Sequence, residues 1–369
     1  MTNSQPSHLD AVHLSTVRGI AETIVALPYQ LGYRPSRSVV MVCLEQHPSR
    51  RSTGHVQLIA RADLDPPGGP PGALAALSLA LDQTRPDVVV LIAFEDAQDD
   101  ATSLLQQACE LAGAHGALVD QSVRVRDGKW FPVVTPDGSA PCWQPLPAQA
   151  DVPVVADLVL NGCNPAPERA DLARLFESRR PLLRQVVTAE FASRLATGRG
   201  CVDPDAALLL LGHVLRADGA DPPELSGAVL ADLALELRDV LLRDAVLARV
   251  APGVLRLSDL PAEYAERVVR CLPRLESVDP AVCERLAVLS SHLPEAAAAP
   301  LLTLCGYLAW WAGAGTLANL AIARALTCDP DYSMARLVDQ VLQQAIRPPR
   351  SARGSHIRRS GPGHGRPAA

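Results

Sequence analysis

The stretch Asp87-Val88-Val89-Val90-Leu91-Ile92-Ala93-Phe94, DVVVLIAF at residues 87–94, decides the fold class. It is a short, nearly continuous apolar run rich in β-branched residues, with no polar alternation. Such a run reads as a strand buried on both faces, and strands of that kind belong to sheets covered by helices. Working back from it, residues 72–83 form an Ala/Leu helical pattern behind the turn cluster DPPGGPPG at 65–72. Residues 54–62 (GHVQLIARA) alternate as a half-buried strand, and 38–44 (SVVMVCL) repeat the buried-strand signature. Before them, 17–27 is a helical apolar pattern that Pro28 is expected to end. Working forward, a helix is expected from Asp99, as N-cap, to 114. A hairpin-like pair follows at 117–125 and 129–134 around Asp127-Gly128. The βαβαβ order predicts an α/β N-terminal domain with a partly parallel sheet and flanking helices.

A Pro/Gly-rich stretch at 135–153 marks the first boundary, and beyond it strand signals cease. Helical spacing recurs at 154–160, 168–176, 181–197, 205–216 and 225–250, then continues to about 346. The expected organisation is a disordered N-terminus (1–9), an α/β domain (10–150), an all-α C-terminal domain (151–347) and a disordered basic tail (348–369). Residues 296–323 carry no charge and exceed the length needed to span a bilayer. Pro300, Gly306 and the Gly313-Ala314-Gly315 turn divide them, so two short buried helices fit better than one span.

With 369 residues, 48% hydrophobic and 20% charged, the chain is long enough for two cores and too apolar for wholesale disorder. Of 34 basic residues only Lys129 is a lysine, so any anion site must use arginine or backbone N–H groups. The formal net charge is −6; residues 348–369 hold five arginines and no acid, which leaves −11 on the rest. An acidic body is a poor match for a phosphate backbone, which argues against nucleic acid as a partner. The nine cysteines form no C-x-x-C pair, and the polar first sixteen residues lack a leader pattern. Together these point to reduced thiols in a cytoplasmic protein with no metal-ligand constellation and no membrane partner.

Two passages carry a resemblance. LPYQLGYRPSRSVV at 27–40 and ARALTCDPDYSMA at 323–335 look like the opening and closing motifs of the actinobacterial "domain of unknown function 4192" family. Smaller echoes lie in order between them, at 61–64, 127–130, 156–162 and Arg243-Asp244. The resemblance covers most of residues 10–347 and implies architecture and a cytoplasmic bacterial origin rather than an activity. The family's cysteine cluster after the G-[RK]-W element is missing here, where Phe131-Pro132-Val133-Val134 stands instead. The closing passage also resembles the second helix of one tetratricopeptide unit, which suggests a helical hairpin docked on the core with a partner-binding groove.

The candidate ligand-binding residues are Tyr29, Arg34, Ser38, Arg61, Asp63 and Trp130. Tyr29, Arg34 and Ser38 would line a pocket at the sheet edge with Arg34 holding an anion; the competing reading is a rigid helix-to-strand connection. Arg61 and Asp63 close a strand, where open α/β sheets bind ligands, or they form a surface ion pair. Trp130 would stack on a planar ligand, or pack in the core. Glu95, Asp96, Asp99 and Asp100 would hold Mg²⁺, although capping of the next helix is the better expectation. A Ser/His/Asp triad remains open, since its members need not be close in sequence. Three function classes follow. The leading one is non-enzymatic binding of a small anionic ligand or a protein partner. The alternatives are a hydrolase or transferase acting on a phosphorylated small molecule, and a helical scaffold for protein–protein interaction. No cofactor class is indicated.

Overall fold

A computed structural model of the chain describes residues 16–47, 50–66, 69–133, 140–160, 162–216, 225–251, 255–275, 278–346, 348 and 356–358. The chain divides into two compact units: 1–26, 38–157 and 352–369 form the first, 27–37 and 158–351 the second. The division passes through the 27–40 motif, so residues 27–37 belong to the helical unit and Ser38 to the sheet.

The first unit is built on one mixed sheet. Its strands are Thr16–Arg18 (β1), Ser38–His47 (β2), Arg50–Asp63 (β3), Val88–Phe94 (β4), Leu118–Arg126 (β5), Lys129–Pro132 (β6), Gln144–Pro145 (β7) and His356–Arg358 (β8). In space they run β1-β8-β3-β2-β4-β5-β6-β7. The parallel pairs are β4–β5 and β1–β8, and the others are antiparallel. The expected partly parallel sheet is therefore a mixed one. Val88 to Ala93 are all buried, as the unbroken apolar run requires. One face of the sheet, with Val39, Met41, Val89 and Leu91, packs against helices Pro70–Thr84 and Thr102–Ala114. A Leu such as Leu105, fully buried there, contributes about 1.5–3 kcal/mol. The other face, with Val40, Val42, Ile92 and Val123, is buried as well.

The helices, in chain order, are α1 (Gly19–Leu31), α2 (Pro70–Thr84), α3 (Thr102–Ala114), α4 (Pro153–Leu160), α5 (Arg169–Ala173), α6 (Pro181–Thr197), α7 (Pro204–Leu215), α8 (Gly227–Glu236), α9 (Val240–Val250), α10 (Ala262–Cys271), α11 (Pro280–Ser290), α12 (Glu295–Trp311), α13 (Gly315–Cys328) and α14 (Ser333–Gln343). Several ends differ from expectation for physical reasons. α1 runs through Pro28 to Leu31 and stops where Gly32 takes φ +81° and its N–H reaches the Pro28 carbonyl. Proline removes one N–H without ending the helix here. α3 begins at Thr102 rather than after Asp99, because the Asp100 carboxylate accepts from the Thr102 N–H. The 225–250 stretch is two helices, since the Asp239 carboxylate caps α9 by accepting from Leu241 and Leu242. α6 keeps its expected limits, fixed by Pro181 in its first turn and the left-handed Gly198.

A large apolar core joins α6 to α14. Residues 296–323 are divided between α12 and α13, as the turn signal implied. These two pack so closely that a Cβ on Gly306 would lie 2.6 Å from Ile322 Cδ1. None of the described helices is long and apolar enough to cross a membrane. Of the expected disordered stretches, 1–9 lies outside the described residues, as does most of 348–369. Within the latter, 356–358 form β8.

Candidate functional site

The six candidate residues divide between the units. Tyr29 and Arg34 belong to the helical unit; Ser38, Arg61, Asp63 and Trp130 belong to the sheet. The 32–34 segment is used through its backbone: Arg34 N–H donates to the Ala166 carbonyl, and Ala166 N–H donates to that of Gly32. Tyr33, rather than Tyr29, supplies the fully buried ring, and the Arg34 side chain is exposed. Ser38, Asp63 and Trp130 share one row across the sheet, Asp63–Ser38–Phe94–Val125–Trp130. Ser38 and Trp130 are thus three strand spacings apart, about 14 Å. They lie on one face without converging. Arg61 and Asp63 form a 2.5 Å ion pair. The Ser38 hydroxyl is buried with no hydrogen-bond partner among the described residues.

At the carboxyl end of β4 the acids are engaged. Glu95, whose side chain is fully buried, accepts from Arg124 Nε and Arg126 Nη2 at 2.8 Å each and from the Ala101 N–H at 2.7 Å. Asp99 accepts from the Asp96 N–H. Arg126 also donates to the Asp99 carbonyl. The carboxylates therefore tie the β4–α3 loop to β5 and start the helix; Glu95 is already neutralised by two guanidiniums. Trp143 covers both arginines, its ring centre 5.9 Å from the Arg124 guanidinium carbon and 5.7 Å from that of Arg126. The sequence signal for this cluster is the alternation Val123-Arg124-Val125-Arg126, which turns both arginines to one face.

In the helical unit a shallow hollow opens among α6, α11, α12 and α13. Phe176, Leu293, Ala298 and Leu302 give it apolar walls, and Ser290, Ser291 and Cys328 line it too. Arg184 from α6 and Arg324 from α13 converge on one oxygen, Glu295 Oε1, at 3.4 and 2.8 Å. The Arg324 hydrogen bond and charge, reinforced by Arg184, hold the Glu295 carboxyl below the usual carboxylate range. Both arginine side chains are about one-third exposed, 34% and 35%. Each has five N–H donors and meets this glutamate through one. Arg324 belongs to the closing 323–335 motif. Glu295 and Arg184 carry no signal that sequence alone would connect to it.

Among the described residues, the hydroxyl–imidazole contacts of His115 and His292 do not make a triad. His115 Nε2 faces both Ser78 Oγ at 3.4 Å and Asp82 Oδ1 at 3.3 Å, so no second ring nitrogen meets an orienting acid. Ser178 Oγ lies 3.3 Å from Nδ1 of the buried His292. Burial, followed by the charge of Arg180, lowers the His292 pKa. A lowered folded-state pKa means that the unfolded chain takes up the proton first. Stability should therefore be full above a pH of about 6.5 and fall as pH drops below it. The urea midpoint is expected to be lower at pH 5.5 than at 7.5, and His292→Gln should flatten that difference. An unchanged slope in the variant would refute the assignment.

These observations define a two-unit protein, a mixed α/β sheet unit with a helical unit whose hollow gathers two arginines. The chain belongs to the family described as Domain of unknown function (DUF4192), whose model matches residues 21–349. No curated protein matches the chain, and no solved structure does.

Proposed function

We propose that the chain is a non-enzymatic binding protein and that the hollow beside Arg184 and Arg324 holds a small oxyanion, a carboxylate or a phosphate. The observation that carries this is the meeting of two guanidiniums, from helices 140 positions apart, on a single carboxylate oxygen. Guanidinium forks match carboxylate and phosphate oxygens, and paired arginines hold them with geometric specificity. Glu295, itself 62% exposed, occupies the position of the ligand's charge and can turn out toward solvent. The apolar walls favour an anion with a short hydrocarbon part. None of the nine cysteines is held in a disulfide, which supports a reducing, cytoplasmic setting. An actinobacterial source completes the reading.

Calorimetric titration with inorganic phosphate and with short carboxylates tests the proposal. Arg324→Gln is expected to weaken binding at least 10-fold, given about 1.5–3 kcal/mol for a hydrogen bond to a charged group. Glu295→Gln is expected to strengthen it, because the internal competitor is neutralised. Equal affinities in wild type and Arg324→Gln would exclude this hollow as the site.

A further inference from the structure

β1 and β3 of the first unit are not neighbours. β8 lies between them, parallel to one and antiparallel to the other. On the β1 side Thr16, Val17 and Arg18 pair with His356, Ile357 and Arg358. On the β3 side Thr53, Gly54 and His55 pair with Arg358, Ile357 and His356. Adjacent strands lie about 4.8 Å apart, so the lips of this gap are about 9.6 Å apart, one strand's width. Each lip carries a row of backbone donors and acceptors. An extended peptide placed there pairs on both sides at once, whereas a peptide added to a sheet edge pairs on one. A three-residue insert is at the short limit for a strand, which keeps the cost of withdrawing it low. The insert comes from a stretch with five arginines and no acid, while the rest of the chain carries −11, so charge favours its approach to the chain. The lips themselves hold Arg18, Arg50 and Arg51, so backbone pairing and not charge seats it.

We infer that the gap between β1 and β3 is a receiving slot for an extended basic strand. Residues 356–358 fill it in cis and exchange with the same stretch of a second copy of the chain. The recognition is through backbone pairing, with charge supplying the encounter. The occupied slot is then a self-blocked interaction surface, independent of the hollow in the helical unit.

The test uses the full chain and a fluorescent peptide of residues 352–362. Full-length Ile357→Pro lacks the central strand N–H, which should weaken the cis insert. It is expected to exchange the amides of residues 53–55 faster than wild type and to bind the peptide at least 10-fold more tightly by anisotropy. The peptide carrying Ile357→Pro should not bind. Equal binding of a scrambled peptide of the same charge would overturn the slot in favour of bare electrostatics. So would equal peptide affinity in the two chains. Should the variant fail to fold, wild type carries the test. Native mass spectrometry with excess peptide is expected to show a 1:1 complex, and a spectrum with no complex overturns the inference.

Discussion

Asp232→Ala is expected to lower the unfolding free energy by about 3–5 kcal/mol, the range for stripping one partner from a buried ion pair. Asp232 on α8 is 2% exposed and accepts from the guanidinium of Arg194 on α6, itself buried. The same carboxylate accepts from the Val202 and Asp203 N–H groups at 2.8 and 3.2 Å. Removing it leaves a buried cation without its main acceptor and frees two part-buried backbone donors just before α7. Glu190 lies 3.6 Å from Arg194 Nε, but on the solvent side, so it offsets little of the loss. Total stabilities of single domains are about 5–15 kcal/mol, so the variant sits near the limit of folding. Urea denaturation measures the effect. The pair's own contribution is a separate quantity: Arg194→Met with Asp232→Leu is expected to recover much of the loss, because neither charge then needs a partner. A single variant within 1 kcal/mol of wild type would show that the core tolerates the bare cation.

The second large effect is expected at Gly212 on α7. A Cβ there would stand 2.3 Å from the Cys271 carbonyl oxygen, at the end of α10. The obstacle is backbone, so it cannot turn aside; α7 and α10 must separate, and the core between them loosens. Overpacking costs about 1–3 kcal/mol, and Gly212→Ala should reach the upper end of that range. Gly306→Ala is the informative contrast. Its Cβ would meet Ile322 Cδ1 at 2.6 Å, the far end of a side chain that can move. Alanine also gains about 1 kcal/mol over glycine within a helix, which offsets most of a modest repacking cost. The expected order is a large loss at Gly212 and a small one at Gly306, read from thermal or urea midpoints. Equal losses would mean that both helix pairs yield in the same way.

The parts of the fold legible in sequence were those written locally. The unbroken run at 88–93 announced a strand covered on both faces. Pro181 and Gly198 fixed α6 at both ends, and Asp127-Gly128, both with positive φ, turned the β5–β6 hairpin. What escaped was decided by contacts between distant residues. Asp239 ends one helical stretch and starts another because its carboxylate is taken by Leu241 and Leu242, a choice that an apolar pattern does not display. Trp143 lay in a Pro/Gly-rich stretch that looked like a boundary, yet it closes over Arg124 and Arg126 as part of the sheet unit. The candidate site shows the same division. Arg324 stands inside a recognisable motif, while Arg184 on α6 and Glu295 on α12 join it only through side chains that meet across the hollow. Tyr29 is the ring expected to line a pocket at the 27–40 motif, but the buried ring there is Tyr33. Cations meet Trp143, under Arg124 and Arg126, and Tyr332, under Arg243.

The order in which the chain leaves the ribosome gives the β1–β3 gap a history. β3 is finished at Asp63, and β8 follows about 295 residues later, after the described helices of the second unit. At about 5–20 residues per second that interval is about 15–60 s. Throughout it a nascent chain presents two open strand lips to whatever is nearby, including neighbouring chains on the same messenger. A copy completed earlier carries the matching segment already. Partner choice for this sheet is then open until residues 356–358 have been made, and their insertion closes it.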